Sequence, residues 1–384
     1  VSDNVFILSG SNPNWGLLPK SQNVFAEINP MSSKKVLDLK FPLVATSDNF
    51  YPAIEDKKVY QVLVGRNRQD STKPMHILNE WEHKSFMPWS TQSAYDNTHI
   101  IAGECNAKLT EAKLVEFNKT KTLLQLCEEG SINLKINLKD EKYKERLTYE
   151  LRLIDEKKYE DYFFVIADMV NYAKQHMLVG PARGSSAGSL VCYLLGITDV
   201  DPLVHNLLFE RFIDLNREDL PDIDIDFQDD RRDMVFKYLK DKYGADKVAR
   251  LGTISRYKAK STITEVAKAL KIPQWEVNDL KGAIIERSGG DARAEFCIMD
   301  TFNDLDIGKK ILKKYPQIKI ASEMEFHARH HGVHAAAIVV TQRPIREYCS
   351  FNEQTEALQV DKYDAEVLNL LKIDALGLRT LSVL

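Results

Sequence analysis

A chain of 384 residues, 44% of them hydrophobic, is long enough for two or three domains, each with its own core. Its formal net charge of −4 excludes a generally basic protein held on nucleic acid or an anionic membrane by bulk attraction, so any such binding must come from local basic patches. Five cysteines without a C-x-x-C pair, Cys105, Cys127, Cys192, Cys297 and Cys349, argue against a disulfide framework.

Free thiols in a reducing cytoplasm are therefore expected. No apolar run reaches the roughly 18 residues of a membrane span, and the start at Val1 lacks the basic and apolar regions of a signal peptide. Residues 1–95 alternate the short apolar runs Val5–Leu8, Val24–Ile28 and Leu43–Thr46 with Asn, Ser, Pro and Gly, the pattern of strands joined by turns and short helices. L-V-A-T-S-D-N at Leu43–Asn49 reads as a buried parallel strand ending in polar residues. Arg66–Ser93 is polar and aperiodic, broken by Pro74, Trp81, Pro88 and Trp89, and reads as a linker or long connection with a domain boundary near its end.

Asp96–Gly130 carries helical spacing through Ile100, Ile101, Leu109, Ala112, Leu114, Val115 and Leu123–Leu126. Lys139–Gln175 continues it with two core-facing helices. Val179–Ser189 then reads V-G-P-A-R-G-S-S-A-G-S, followed by the apolar helix Leu190–Leu195. Small residues at Gly180, Gly184, Ser185, Ala187 and Gly188 allow close backbone approach, and the following helix aims its amide-rich N-terminus at the loop, a geometry suited to phosphate. The loop lacks the Lys-Ser/Thr pair of a P-loop and the spacing of a dinucleotide fold, and a simple packing turn weighs about equally; the guanidinium of Arg183 favours an anion.

Leu220–Phe227 reads L-P-D-I-D-I-D-F, with Asp222, Asp224 and Asp226 alternating with Ile223, Ile225 and Phe227. In an extended strand the three acids share one face, about 7 Å apart, while the apolar set packs behind. Like charges so placed repel unless a cation sits among them, and hard oxygen donors point to Mg²⁺, Mn²⁺ or Ca²⁺. The plain alternative is a solvated strand edge. Asp229–Tyr243 reads as an amphipathic helix and Val248–Ile254 as a strand. R-Y-K-A-K at Arg256–Lys260 leads into a helix through Ala269, with Thr262 and Glu265 at capping-box spacing; its bases suit a nucleic-acid backbone or triphosphate, or only a solvated face.

Pro273–Glu325 reads as a helical insert with a loop at Ser288–Asp291. His327, His330, His331 and His334 include i, i+4 pairs that suit zinc on a helix, but Gly332 ends such a helix and Ala335–Val340 reads as a strand. Leu368–Ile373 is a strand with Asp374 at its end, and the chain stops at Leu384 in a helix expected from Ala375, as in a piece of a longer protein.

Five motifs in order, V-G-P-A-R-G-S-S-A-G-S-L-V, L-L-F-E-R-F at Leu207–Phe212, L-P-D-I-D-I-D-F, V-H-A-A-A-I-V-V and K-I-D-A-L-G-L-R-T-L, resemble the family C replicative DNA polymerases, the alpha subunits of bacterial DNA polymerase III. The likeness covers 96–384 and extends more weakly to an N-terminal PHP domain. It implies an α/β protein: a polymerase beta-like nucleotidyltransferase palm at 96–270 and 326–384, an inserted helical thumb at 271–325 and a partial PHP-like region at 1–95. Asp224, Asp226 and Asp374 match the family's catalytic, metal-holding acids, with two Mg²⁺ as cofactor; Asp222 matches a position not assigned to metal. Gly184 and Ser185, with Arg183 beside them, match the triphosphate loop, and Arg211, Lys260 and His334 are supports.

The implied activity is template-directed transfer from a dNTP to the 3′-hydroxyl of a primed template DNA, with other replisome subunits as partners through regions beyond this chain, and no membrane. The rival is a catalytically silent DNA-binding or scaffold fragment. A PHP-type phosphoesterase is disfavoured, because no His-x-His pair exists and Phe50 stands where the PHP Asp-x-His motif has histidine, so a metal-free remnant is expected.

Overall fold

The computed structural model of the chain describes residues 5–384 apart from 12, 20, 65–72, 114, 117–119, 215–220 and 286–295. The loop read at Ser288–Asp291, the head of the acidic run at Leu220, and Leu114 lie outside the described residues. In chain order the elements are β1 (Ile7–Leu8), β2 (Val24–Ile28), β3 (Leu43–Ala45), α1 (Lys57–Val64), α2 (Glu80–Phe86) and α3 (Gln92–Glu104). Next come α4 (Leu123–Leu134), α5 (Glu141–Glu156), α6 (Glu160–His176), α7 (Leu190–Leu194), β4 (Asp224–Gln228), α8 (Arg232–Tyr243) and β5 (Val248–Arg256). A helical run follows: α9 (Ala259–Ala269), α10 (Gln274–Ala283), α11 (Cys297–Asp304), α12 (Asp306–Lys314) and α13 (Ile320–Met324). The chain closes with β6 (Ala328–Val340), β7 (Phe351–Asn352), β8 (Ala357–Leu358), α14 (Lys362–Val367), β9 (Leu371–Leu378) and α15 (Arg379–Val383). Two compact units result, each drawn from two stretches of chain: residues up to Lys108 with Arg256–Ala328, and Leu109–Ser255 with Arg329–Leu384.

In the first unit β1, β2 and β3 form a parallel sheet in that order, which matches the reading of Leu43–Asn49 as a parallel strand. Ala26, Ile28, Val36, Ala45, Met87, Ala94 and Tyr95 make its core. The expected linker at Arg66–Ser93 instead contains α2, opened by a capping box between Asn79 and Glu82. Buried His83 bonds Tyr95 Oη at 2.8 Å and the Ile28 carbonyl at 2.9 Å, so this stretch is held by polar contacts that leave no hydrophobic period to read. Helices α9–α13 share a separate core of Ile263, Val266, Val277, Leu280, Ile298, Phe302, Ile318 and Met324, with Val59, Val62 and Leu63 of α1 packed against it. Thr262 is no cap: it lies inside α9, and its hydroxyl donates back to the Lys258 carbonyl at 2.8 Å.

The second unit is built on a six-stranded mixed sheet in the order β4-β9-β6-β5-β8-β7. Ile223, Ile225, Phe227, Ile373 and Ala375 bury one face against Tyr162, Phe163, Ile166 and Met169 of α6 and Val235 and Leu239 of α8. Ala249, Leu251, Ala337 and Val339 bury the other with Ile345, Tyr348, Leu358 and Leu368. The helical reading of Asp96–Gly130 holds for α3 and the start of α4 but not between them. There Ala112 donates its N–H to Leu368 O at 2.8 Å and accepts from Asn369 Nδ2 at 2.9 Å, bonds to distant chain that local spacing cannot show.

The helix expected from Ala375 starts at Arg379, because Ala375–Leu378 extend β9 in parallel register with Ile225–Gln228. His330 and His331 likewise lie on a strand rather than a helix: β6 starts at Ala328 and takes in the strand read at Ala335–Val340, with His334 just before it. All five cysteines are free thiols. No helix among the described residues is long and apolar enough to cross a membrane.

Candidate functional site

The site begins with period-two alternation. Ile223, Ile225 and Phe227 are 1%, 3% and 0% exposed, which turns Asp224 and Asp226 to the opposite face of β4. Parallel pairing sets Asp224 directly against Asp374 of β9, while Asp374 in turn faces Ala337 of β6. Asp222, just ahead of β4, completes a group: Asp222, Asp224 and Asp374 each offer a carboxylate oxygen, all within 4.8 Å of one another. Among the described residues this is the sole group of three or more potential metal ligands, and the histidine run contributes none.

Four acids are answered by two cations of the same unit. Arg183 Nη1 lies 3.1 Å from Asp226 Oδ1, and Arg183 Nε 4.0 Å from Asp224 Oδ2. Lys372 Nζ lies 3.0 Å from Asp374 Oδ2 and 3.4 Å from Asp222 Oδ2. The Asp224 carboxyl is raised above its ordinary pKa by burial first, then by the charges of Asp222 and Asp374, against the lowering pull of Arg183 and Lys372. Lys372 is also raised: burial alone lowers an ammonium, but the bond to Asp374 and the charges of Asp374 and Asp222 outweigh it. Asp374 Oδ1 is buried and has no hydrogen-bond partner. An oxygen-only donor set with one buried, unsatisfied lone-pair centre fits a hard divalent cation and not zinc.

The glycine loop is pinned to the acid strand. Val179 bridges Phe227, Gly180 N donates to Asp226 O at 2.7 Å, and Leu178 N to Gln228 Oε1 at 2.8 Å. A Cβ on Gly180 falls 2.9 Å from the Asp226 Cβ, so only glycine lets the loop run this close. Residues Gly184–Gly188 form a short 3₁₀ turn begun at Arg183. The helix N-terminus expected to hold phosphate is already filled from within the protein. The buried Glu150 carboxylate accepts from Leu190 N at 2.9 Å, Val191 N at 3.0 Å and Ser189 Oγ at 2.8 Å. Arg146 Nε donates to it at 2.6 Å, and Arg146 Nη2 reaches the carbonyls of Gly188 and Leu207 at 2.6 and 3.1 Å. Any anion at this loop therefore meets the Gly184–Ser185 end and not the amides of α7.

Beside the acids opens a cleft of about 460 Å³, lined among others by Tyr159, Ser185, Arg211, Asp222, Lys362 and Lys372. The structure thus gathers Asp224, Asp374, Arg183, Gly184, Ser185 and Arg211 around one region, with Asp226 turned to Arg183. It does not bring His334 there. That side chain lines a small hollow with Arg232, Asp233, Arg250 and Ala375, and Ala375 faces away from Asp374; His334 Nδ1 accepts from the amides of Ala336 and Ala337 at 3.2 and 2.9 Å. Lys260 belongs to the first unit, exposed near the start of α9.

Two participants escaped the sequence reading. Lys372 stands two residues before Asp374 and so on the same strand face, a signal that was present. Glu150 interrupts the apolar stripe of Leu147, Leu151 and Ile154 on α5, and a carboxylate on a buried stripe needs partners.

Facing carboxylates on parallel strands beside a glycine loop and a cleft lined by both acids and bases define an acid-lined α/β site. The family described as Bacterial DNA polymerase III alpha NTPase domain matches residues 121–377. The chain is 34% identical over 382 residues to the DNA polymerase III subunit alpha of Bacillus subtilis strain 168, covering 93% of this chain and 34% of that protein. It is 35% identical over 324 residues to that of Staphylococcus aureus strain Mu50, covering 80% and 29%. With the protein of strain COL it shares 38% identity over 257 residues, 65% and 24%. The chain belongs to the bacterial DNA polymerase III alpha family, and it spans about a third of the length of these curated relatives.

Proposed function

We propose that this chain carries the nucleotidyl-transfer site of a template-directed DNA polymerase, joining a dNTP to the 3′-hydroxyl of a primer on template DNA. The observation that carries the reading is the parallel register that sets Asp224 against Asp374, with Asp374 Oδ1 buried and unpartnered. In this reading the unit of Leu109–Ser255 and Arg329–Leu384 is a palm, helices α10–α13 are an inserted thumb, and the parallel strands β1–β3 are a PHP-like remnant.

The chain's own residues divide the work. Asp224, Asp226 and Asp374 present oxygens on one face, fixed by the β4–β9 ladder so that little reorganisation accompanies reaction. These three acids would hold two Mg²⁺, which when bound would lower the pKa of the 3′-hydroxyl and offset the charge of the leaving pyrophosphate. Gly184 and Ser185 let the triphosphate approach the backbone, and Arg211 supplies positive charge from the cleft wall. Arg183 exchanges Asp226 for phosphate oxygens, which a planar guanidinium can grip in a fork.

Single-turnover incorporation of one dNTP on a primed template, with Mg²⁺ present, tests the assignment. Wild-type chain is expected to extend the primer, and Asp224→Ala, with an unchanged circular dichroism spectrum, to be slower by about 10³-fold. Equal rates for the two refute the site. A wild-type chain that binds primed template yet incorporates nothing is the silent scaffold instead.

A further inference from the structure

Lys372 is the side chain that the polymerase reading leaves without a task, and its surroundings supply one. We propose that Lys372 is a tethered counter-cation that competes with the divalent cation for Asp374, and that Asp222 is the carboxylate that receives it when the cation binds. The inference rests on the acid cluster being a divalent-cation site.

Four observations carry it. The ammonium is bonded to two of the three clustered acids, at 3.0 Å to Asp374 and 3.4 Å to Asp222, so it already sits among the oxygens a cation needs. Lys372 lies on β9 two positions before Asp374, so its side chain leaves the strand on the face that carries Asp374, and that side chain is 24% exposed. Asp374 has one oxygen held by Lys372 and the other buried without a partner; a cation arriving at the free oxygen meets a like charge on its neighbour. Asp222 is exposed and lies ahead of the β4 ladder, at the cleft wall shared with Ser185, Arg211 and Lys372. A half-buried ammonium needs a carboxylate in either state, and Asp222 is the second one it already contacts. The exchange moves no covalent bond and no proton.

Mn²⁺ titration followed by the electron paramagnetic resonance signal of free Mn²⁺, on the whole chain without DNA or nucleotide, reads this directly. Asp224→Ala is expected to weaken binding at least about tenfold and so marks the site; if it changes nothing, the divalent-cation reading itself fails. Lys372→Met is expected to tighten binding about five- to tenfold, while Lys372→Arg stays within about twofold of wild type. Lys372→Gln replaces the methionine variant if thermal unfolding shows that one misfolded. Asp222→Asn is expected to weaken binding several-fold in the wild-type background, where Lys372 then rests on Asp374 alone, and to have no effect in the Lys372→Met background. Unchanged or weaker binding in Lys372→Met overturns the inference with the cation site intact. Equal weakening by Asp222→Asn in both backgrounds does the same and makes Asp222 a ligand.

Discussion

Gly184 has a backbone φ of +64°, and a Cβ built on it falls 3.3 Å from Asp224 Oδ2. A side chain there takes on left-handed strain of about 1 kcal/mol and presses a methyl group against a carboxylate of the site. Gly184→Ala is therefore expected to lower single-turnover incorporation about tenfold while shifting the melting temperature by only a few degrees; an unchanged rate contradicts the role of this turn. At this scale the acids were the most legible feature, because a strand's period of two is written in L-P-D-I-D-I-D-F itself. Lys372 was legible by the same rule and was passed over. The closeness of Asp222 to Asp374 was not, since it depends on a strand 150 residues further along the chain.

At the scale of elements, Glu150 is the stitch between α5, α7 and the glycine loop. Burial raises its pKa, while the amides of Val191 and Leu190 and the Arg146 guanidinium pull it down. Glu150→Ala strands Arg146, Ser189 Oγ and two helix amides at once, and we expect a loss of about 3–5 kcal/mol in urea-induced unfolding. A loss below about 1 kcal/mol shows that the network is dispensable. Sequence spacing found the helices α5, α6 and α8 and the strands β2, β3 and β5, whose apolar faces are local. It misread Ala375–Leu378 and the histidine stretch before Gly332, where pairing with β4 and within the sheet decides the conformation, while Ala335–Val340 is the strand it expected. It also read the α7 N-terminus as suited to phosphate, with a packing turn weighed equally, because it could not see which acidic side chain α5 delivers there.

The whole molecule is two discontinuous units, and no reading in chain order can show that Arg256–Ala328 groups with the residues up to Lys108. Ordered motifs were more informative at this scale than composition, since the net charge of −4 gives no hint of the family. The proposed chemistry has one requirement, that distant acids share a cation. Crystals of the chain soaked in Mn²⁺ and measured at the manganese absorption edge test it most directly. The account predicts an anomalous peak bonded to Asp224 and Asp374; manganese bound elsewhere with these carboxylates bare contradicts it.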